Sequence, residues 1–155
     1  MSPLDALATS MAYVILGDDK IAMEEKAKLF GLLGKHVTRN EVSEASLKSI
    51  VSQAFKYAKE TNFRDFLETV ADKLSKGQRV CIMINLYDMS LSDGGVTIGE
   101  AEILNRFRHA FGIQKDNMTA VREVLQVKNE TGMFINRNHP YNSPDFIFDI
   151  RSNSE

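Results

Sequence analysis

The chain contains few of the residues that mark secreted, membrane-spanning or metal-thiolate proteins. Its 155 residues include one cysteine, so an internal disulfide framework and a cysteine-based zinc or iron–sulfur site are excluded. No run of about 18 apolar residues is present, so no segment is predicted to insert into a bilayer. The first residues have no basic region followed by an apolar one, which is untypical of a secretory signal. We therefore expect a cytoplasmic protein.

Neither sign of charge is in large excess. Nineteen Lys and Arg residues oppose twenty-one Asp and Glu residues, which gives a formal net charge of -2. Such a balance provides no basic field that would attract nucleic acid, so nucleic acid is not an expected partner. Hydrophobic residues make up 43% of the chain, which is enough to fill the single core of a one-domain protein.

Proline occurs only near the two ends of the chain, at Pro3, Pro140 and Pro144. The long stretch between them favours helices, because proline is the residue that helix interiors tolerate least. Apolar residues recur there at intervals of three and four, and sustained strand alternation is absent before residue 133. The fold class predicted is all-α with seven helices: one opened by Ser2 and Pro3, one capped by Asn62, and five over about residues 22–36, 41–59, 76–91, 98–111 and 116–126.

The residues after 128 differ in composition from the helical part. Residues 129–155 are rich in Asn, Ser and Pro, which is typical of loops. The run from Phe146 to Ile150 is too apolar for a purely solvated segment. We therefore expect a helical domain over residues 1–128 and a loop-rich C-terminal tail over 129–155 that docks on it. A partner-binding peptide is the alternative interpretation of the tail.

Two acidic segments repeat within the helical part. A shift of 75 positions aligns Asp18 with Asp93 and Glu25 with Glu100. Apolar positions of the flanking helices align as well, among them Leu7 with Ile82, Met11 with Leu86, Val14 with Met89 and Leu29 with Leu104. Helices one to three therefore resemble helices five to seven. This repeat predicts two pseudo-symmetric three-helix halves joined by the fourth helix.

Each copy places its Asp between two helices and its Glu in the first turn of the second helix. Each Glu also continues the apolar stripe of its helix, and a carboxylate at the edge of a core needs a partner. If the two halves pack together, Asp18, Glu25, Asp93 and Glu100 converge, and four like charges repel unless a cation neutralises them. Oxygen ligands suit Ca²⁺, Mg²⁺ or Mn²⁺. Asp88 could supply a further oxygen.

Helix capping is the competing explanation of the same residues. Thr97 and Glu100 form a capping-box pattern, which accounts for Glu100 without a metal. Ala22 holds the matching position in the first copy and has no hydroxyl group, so capping explains Glu25 less well. Neither copy is a complete calcium loop of the EF-hand type, because apolar residues stand at the first two ligand positions. Both interpretations stay open on the sequence alone.

Two Asp-Gly-x-aliphatic-x-x-x-Glu patterns in an all-helical chain, 75 residues apart, resemble the tellurite-resistance TerB family and the wider TerB-like superfamily. The resemblance extends from about Leu4 to Gln126, and the first copy departs from it with Asp19 at the glycine position. It implies a compact seven-helix domain, an acidic cation-binding surface, a role in tellurite resistance and stress responses, and protein partners that include membrane-bound Ter components. The acidic residues that it carries over are Asp18, Glu25, Asp93 and Glu100, with Asp19, Glu24 and Asp88 as auxiliary ligands.

Enzyme chemistry is not indicated by any motif in the sequence. A Ser-His-Asp order, a glycine-rich phosphate loop and a reactive-cysteine context are missing, so we expect a non-enzymatic protein. Cys81 lies among apolar residues and is predicted to be buried, whereas Lys28 is predicted to lie on a solvated face. The alternative function is a metal-independent helical adaptor or co-chaperone-like module whose acidic loops and tail bind another protein. A hydrolase that uses Glu100 is a third and weaker hypothesis. No feature of the sequence indicates the oligomeric state.

Overall fold

A computed structural model describes residues 1–17, 23–91, 96–148 and 150, and the side chains of residues 23–26 lie outside this description. Over the described ranges the chain is helical and contains no strand, which confirms the predicted all-α class and its seven helices. The helices are α1 Pro3–Leu16, α2 Met23–Thr38, α3 Glu44–Glu60, α4 Phe63–Val70, α5 Lys76–Ser90, α6 Ile98–Ala110 and α7 Lys115–Asn129. Two single-turn 3₁₀ helices follow in the tail, at Gly132–Phe134 and Pro140–Asn142.

Local side chains begin most of these helices. Ser2, Ser43, Ser75 and Thr97 each accept a hydrogen bond from the backbone N–H three residues later, at the starts of α1, α3, α5 and α6. Asn62 caps α4 as predicted, through a 2.8 Å bond from the Arg64 amide. Each of these oxygens satisfies a backbone donor that the first helical turn leaves without an intrahelical partner.

The core is centred on α1 and α5. α1 packs against α2, α3, α5 and α6, and α5 also packs against α2, α6 and α7. Met11 and Val14 of α1, and Leu86 and Met89 of α5, are at most 1% exposed. The repeat aligns these two pairs of residues, and all four positions are buried. The pseudo-two-fold relation between the halves stays a prediction.

The connecting helix α4 joins the two halves through an aromatic cluster. Phe66 is fully buried, and its ring centroid lies 4.9 Å from that of Tyr13 in α1, 5.9 Å from Tyr57 in α3 and 6.3 Å from Phe107 in α6. A single side chain of α4 therefore contacts rings from both copies of the repeat.

Two predictions about the solvent exposure of side chains are wrong. Cys81 is exposed rather than buried, because the N-terminal half of α5 leaves one of its faces uncovered. Lys28 is only 26% exposed and pairs with Asp88, because α2 and α5 pack side by side and bring residues from distant parts of the sequence together. None of the helices in the described ranges is long and apolar enough to cross a membrane.

The tail contacts the helices near its middle and leaves its apolar end exposed. Tyr141 lines a small cavity with Leu91, which follows α5, and with residues at the end of α7. Ile147 and Phe148, by contrast, are 80% and 52% exposed. The division into a domain over 1–128 and a docked tail over 129–155 stays a prediction.

Candidate functional site

The acidic residues singled out by the repeat are described only in part. Asp18, Asp19 and Asp93 lie outside the described residues, and Glu24 and Glu25 belong to the first turn of α2 with side chains that are likewise outside the description. Within the parts of the chain that are described, no group of three or more His, Cys, Asp or Glu side chains could hold a metal ion. Convergence of the four carboxylates, and the metal site with them, stays a prediction.

Glu100 is fully buried at the start of α6. Its Oε1 accepts a 3.4 Å hydrogen bond from the Thr97 amide, while the Thr97 hydroxyl accepts a 3.1 Å bond from the Glu100 amide. The predicted capping box is therefore confirmed. The Glu100 side chain also continues the apolar stripe of α6, because Leu104 and Phe107 on the same side of the helix are 2% and 0% exposed. A carboxylate of this kind is held by a helix cap and is removed from water at the same time.

The start of α6 lies against the end of α1. A methyl group added at Gly17, which caps α1, would lie 2.1 Å from Cδ1 of Ile103 in α6. One added at Gly99 would lie 3.4 Å from the carbonyl oxygen of Gly17. Gly17 directly precedes Asp18 in the sequence, so the last described residue before the first acidic loop lies beside the helical turn that carries Glu100.

Asp88 is the centre of a polar network that joins three helices. Its Oδ1 accepts hydrogen bonds from Lys28 Nζ of α2 and Asn129 Nδ2 of α7, both at 2.9 Å, and its Oδ2 accepts one from Lys128 Nζ at 2.8 Å. Burial raises the pKa of this carboxyl group, but the hydrogen bonds from Lys128, Asn129 and Lys28 outweigh burial and lower the pKa to about 2. Asp88 is therefore ionised at neutral pH.

Sequence reasoning found Asp88 but missed its partners. Lys28, Lys128 and Asn129 lie 60, 40 and 41 residues away along the chain. No local pattern connects residues at such separations, so no sequence signal could have paired them. Both carboxylate oxygens of Asp88 accept hydrogen bonds from these groups, and a metal ion at Asp88 would lie close to two ammonium groups, which repel it.

A groove of about 540 Å³ between α4 and α6 is lined by several arginines. On sequence, Arg106 and Arg108 do not share a helical face, yet both line this groove together with Arg64 of α4. The guanidinium of Arg106 lies 4.5 Å from the ring centroid of Phe63. Glu68 and Glu102 line the same groove, so its charge is mixed. The prediction that nucleic acid is not a partner stays a prediction.

Comparison with known proteins identifies a family to which the chain is similar. Residues 4–123 match the model of a family described as tellurite resistance protein TerB. No curated protein matches the chain, and no solved structure does. The matched range runs from α1 into α7 and includes both acidic segments, whereas the tail lies beyond it.

Proposed function

The chain belongs to the tellurite resistance protein TerB family, and from that premise we propose a non-enzymatic stress-response protein whose acidic surface binds a divalent cation. The ligands are Asp18, Glu25, Asp93 and Glu100, with Asp19, Glu24 and Asp88 as auxiliary candidates. It acts in the cytoplasm with other proteins, including membrane-bound Ter components. The observation that carries the cation proposal is the complete burial of Glu100 beside the end of α1.

Holding a charged Glu100 carboxylate away from water costs free energy. An ionised carboxylate removed from water needs hydrogen bonds or an opposite charge to remain ionised. The capping bond from Thr97 and the dipole of α6 both favour the charged form of such a carboxylate. If Asp18, Glu25 and Asp93 lie beside it, the four carboxylates repel one another, and a shared cation would neutralise that repulsion. Because all proposed donors are carboxylate oxygens, Ca²⁺, Mg²⁺ and Mn²⁺ are the appropriate ions.

Asp88 contributes least to such a site. Its two oxygens are engaged by Lys28, Lys128 and Asn129. It lies on α5 five residues before Asp93, and its contacts fix α5 against α2 and α7. In this proposal Asp88 therefore orients the helices that flank the acidic loops.

Thermal unfolding with added Ca²⁺, Mg²⁺ or Mn²⁺ tests the proposal. At 100 times its dissociation constant a cation that binds only the folded state stabilises it by about 2.7 kcal/mol, which raises the Tm of a chain of this length by about 5–10 °C. The double variant Asp18→Asn, Asp93→Asn should lose this increase. A matched double variant, Asp72→Asn, Asp116→Asn, changes the net charge equally at two exposed positions, just after α4 and at the start of α7, and should keep it.

The same titration distinguishes the cation-binding proposal from the alternative function. A helical protein-interaction module without metal is favoured by the exposed apolar side chains of the tail, among them Phe134 at 84% and Ile147 at 80% exposure. No Tm increase at millimolar cation, or equal increases in both double variants, would reject the cation site and leave this alternative. Loss of the increase only in the loop variant supports the cation site.

A further inference from the structure

α5 carries an apolar groove on its N-terminal half. The α5 groove is a shallow, open depression of about 500 Å³ whose lining residues all belong to α5: Lys76, Gly77, Val80, Cys81, Ile84 and Asn85. Near the other end of the helix, Leu86, Met89 and Leu91 are at most 5% exposed. A helix with apolar residues on all sides is normally buried on all sides. The α5 groove is an apolar part of this helix that the described residues of its own chain leave uncovered.

The groove continues a surface of α5 that α7 already covers. Asp88 follows Ile84 by four residues and Cys81 by seven, so the three side chains lie on one face of the helix. Lys128 and Asn129, at the end of α7, bind Asp88. The contact between α5 and α7 thus reaches Asp88, and the same face toward the N-terminus of α5 stays open.

The tail of the same chain presents an apolar segment of matching chemistry. Within this tail segment, residues 146–148, the exposed fractions are 39% for Phe146, 80% for Ile147 and 52% for Phe148. The exposed residue Asp145 precedes the segment, and Lys76 stands at one end of the α5 groove. An exposed apolar segment and an exposed apolar groove, with opposite charges beside them, are complementary surfaces.

The tail segment does not fill the groove of its own copy in its observed position. Phe146 packs on Tyr141, with ring centroids 4.7 Å apart, and Tyr141 lines a cavity beside Leu91. Ile147 and Phe148, which follow Phe146, are 80% and 52% exposed. The stacking of Phe146 on Tyr141 therefore holds the segment away from the α5 groove of its own copy.

We propose that two copies of the chain exchange tails, so that the tail segment of each lies in the α5 groove of the other. The exchange is reciprocal, and a two-fold dimer therefore uses the same contact twice. It buries Ile147, Phe148 and Ile84, which are exposed in the single chain. This proposal is independent of cation binding by the acidic residues.

Cys81 lies in the α5 groove and is the only cysteine of the chain, which permits a direct test by disulfide cross-linking. Wild type is mixed with the double variant Cys81→Ser, Phe148→Cys and treated with a mild oxidant. We expect a disulfide-linked dimer between the two kinds of chain on a non-reducing gel. The matched control is Cys81→Ser, Phe134→Cys, in which another exposed tail phenylalanine is replaced, and it should cross-link at least tenfold more slowly.

The single variant Phe148→Cys, which retains Cys81, distinguishes exchange from docking within one copy. A predominantly intramolecular disulfide would overturn the proposal, as would equal cross-linking rates for the two double variants in the mixing experiment. A predominantly intermolecular disulfide supports exchange.

Sedimentation of the unmodified chain provides a second readout. Wild type should show a concentration-dependent monomer–dimer equilibrium, and Phe148→Ser or Ile84→Ser should raise its dissociation constant at least tenfold. Both side chains are exposed in the single chain, so circular dichroism should show unchanged helicity, and Phe134→Ser should dimerise as wild type does. Wild type that remains monomeric at several hundred micromolar would overturn the proposal.

Discussion

At the scale of single residues, Asp88 shows how tertiary contacts set the ionisation of a side chain. Its side chain is 15% exposed, and burial alone would favour the neutral form. Hydrogen bonds from Lys128, Asn129 and Lys28 favour the charged form and lower the pKa from 3.8 to about 2. Because the folded state binds the proton less tightly than the unfolded state, this carboxylate stabilises the fold above about pH 4, and the contribution is lost as the pH falls toward 2.

Replacing Asp88 by Asn tests this contribution. We expect the free energy of unfolding at pH 7 to fall by about 1–2 kcal/mol, since Lys28 loses its charged partner while the solvated Lys128 loses less. Urea unfolding between pH 2 and 7 should show the difference between wild type and variant shrinking below about pH 4. A difference that stays constant down to pH 2 would contradict the assigned pKa.

At the scale of secondary-structure elements, the crossing of α1 and α6 depends on a small residue. A Cβ atom at Gly17 would lie 2.1 Å from Ile103 Cδ1 and 3.2 Å from the carbonyl oxygen of Tyr13. Real Cβ atoms do not approach other atoms at 2.1 Å, so one of the two helices or the Ile103 side chain must shift. This contact lies one helical turn from Glu100, where α1 and α6 meet.

Alanine at Gly17 should therefore destabilise the protein by about 1 kcal/mol. Ile103→Val removes the Cδ1 atom that the new methyl group would meet, so Gly17→Ala should cost less in the Ile103→Val background. A methyl group added at Gly31 of α2 would meet no atom within 4 Å, and Gly31→Ala should instead stabilise the helix by about 0.5–1 kcal/mol. Denaturant unfolding of the four variants measures these effects, and additive costs at Gly17 and Ile103 would contradict the proposed clash.

At the scale of the whole molecule, α4 makes the two repeat copies parts of one core. Phe66 is fully buried among Tyr13, Tyr57 and Phe107, which belong to α1, α3 and α6. The repeat halves therefore share a cluster that neither could complete alone. We expect them to unfold together as a single cooperative unit.

Phe66→Ala should lower the free energy of unfolding by about 3–5 kcal/mol, because it leaves a cavity at this shared cluster. The transition should stay single and coincide in far-ultraviolet circular dichroism and tyrosine fluorescence. Phe134→Ala removes the same side chain at an 84% exposed position and should change stability by less than about 0.5 kcal/mol. Two separate transitions in the Phe66 variant would show that the halves unfold independently.

Local features of the sequence determined most of the helical architecture. Apolar spacing and the caps at Ser2, Asn62 and Thr97 predicted seven helices and several of their starts. The burial of Glu100 on the stripe of α6 was predicted in the same way. These features depend on residues within one or two helical turns, so their physical causes are contained in short stretches of sequence.

The tertiary structure alone decided which of these surfaces meet. Asp88 appeared as an additional metal ligand in the sequence, and packing of α2, α5 and α7 gave it Lys28, Lys128 and Asn129 as partners. Cys81 appeared buried, yet the same packing leaves its face of α5 open. Periodicity identifies the apolar sides of a helix, but only the approach of other helices, across 40 to 60 residues of chain, determines which side is covered and which charges are paired.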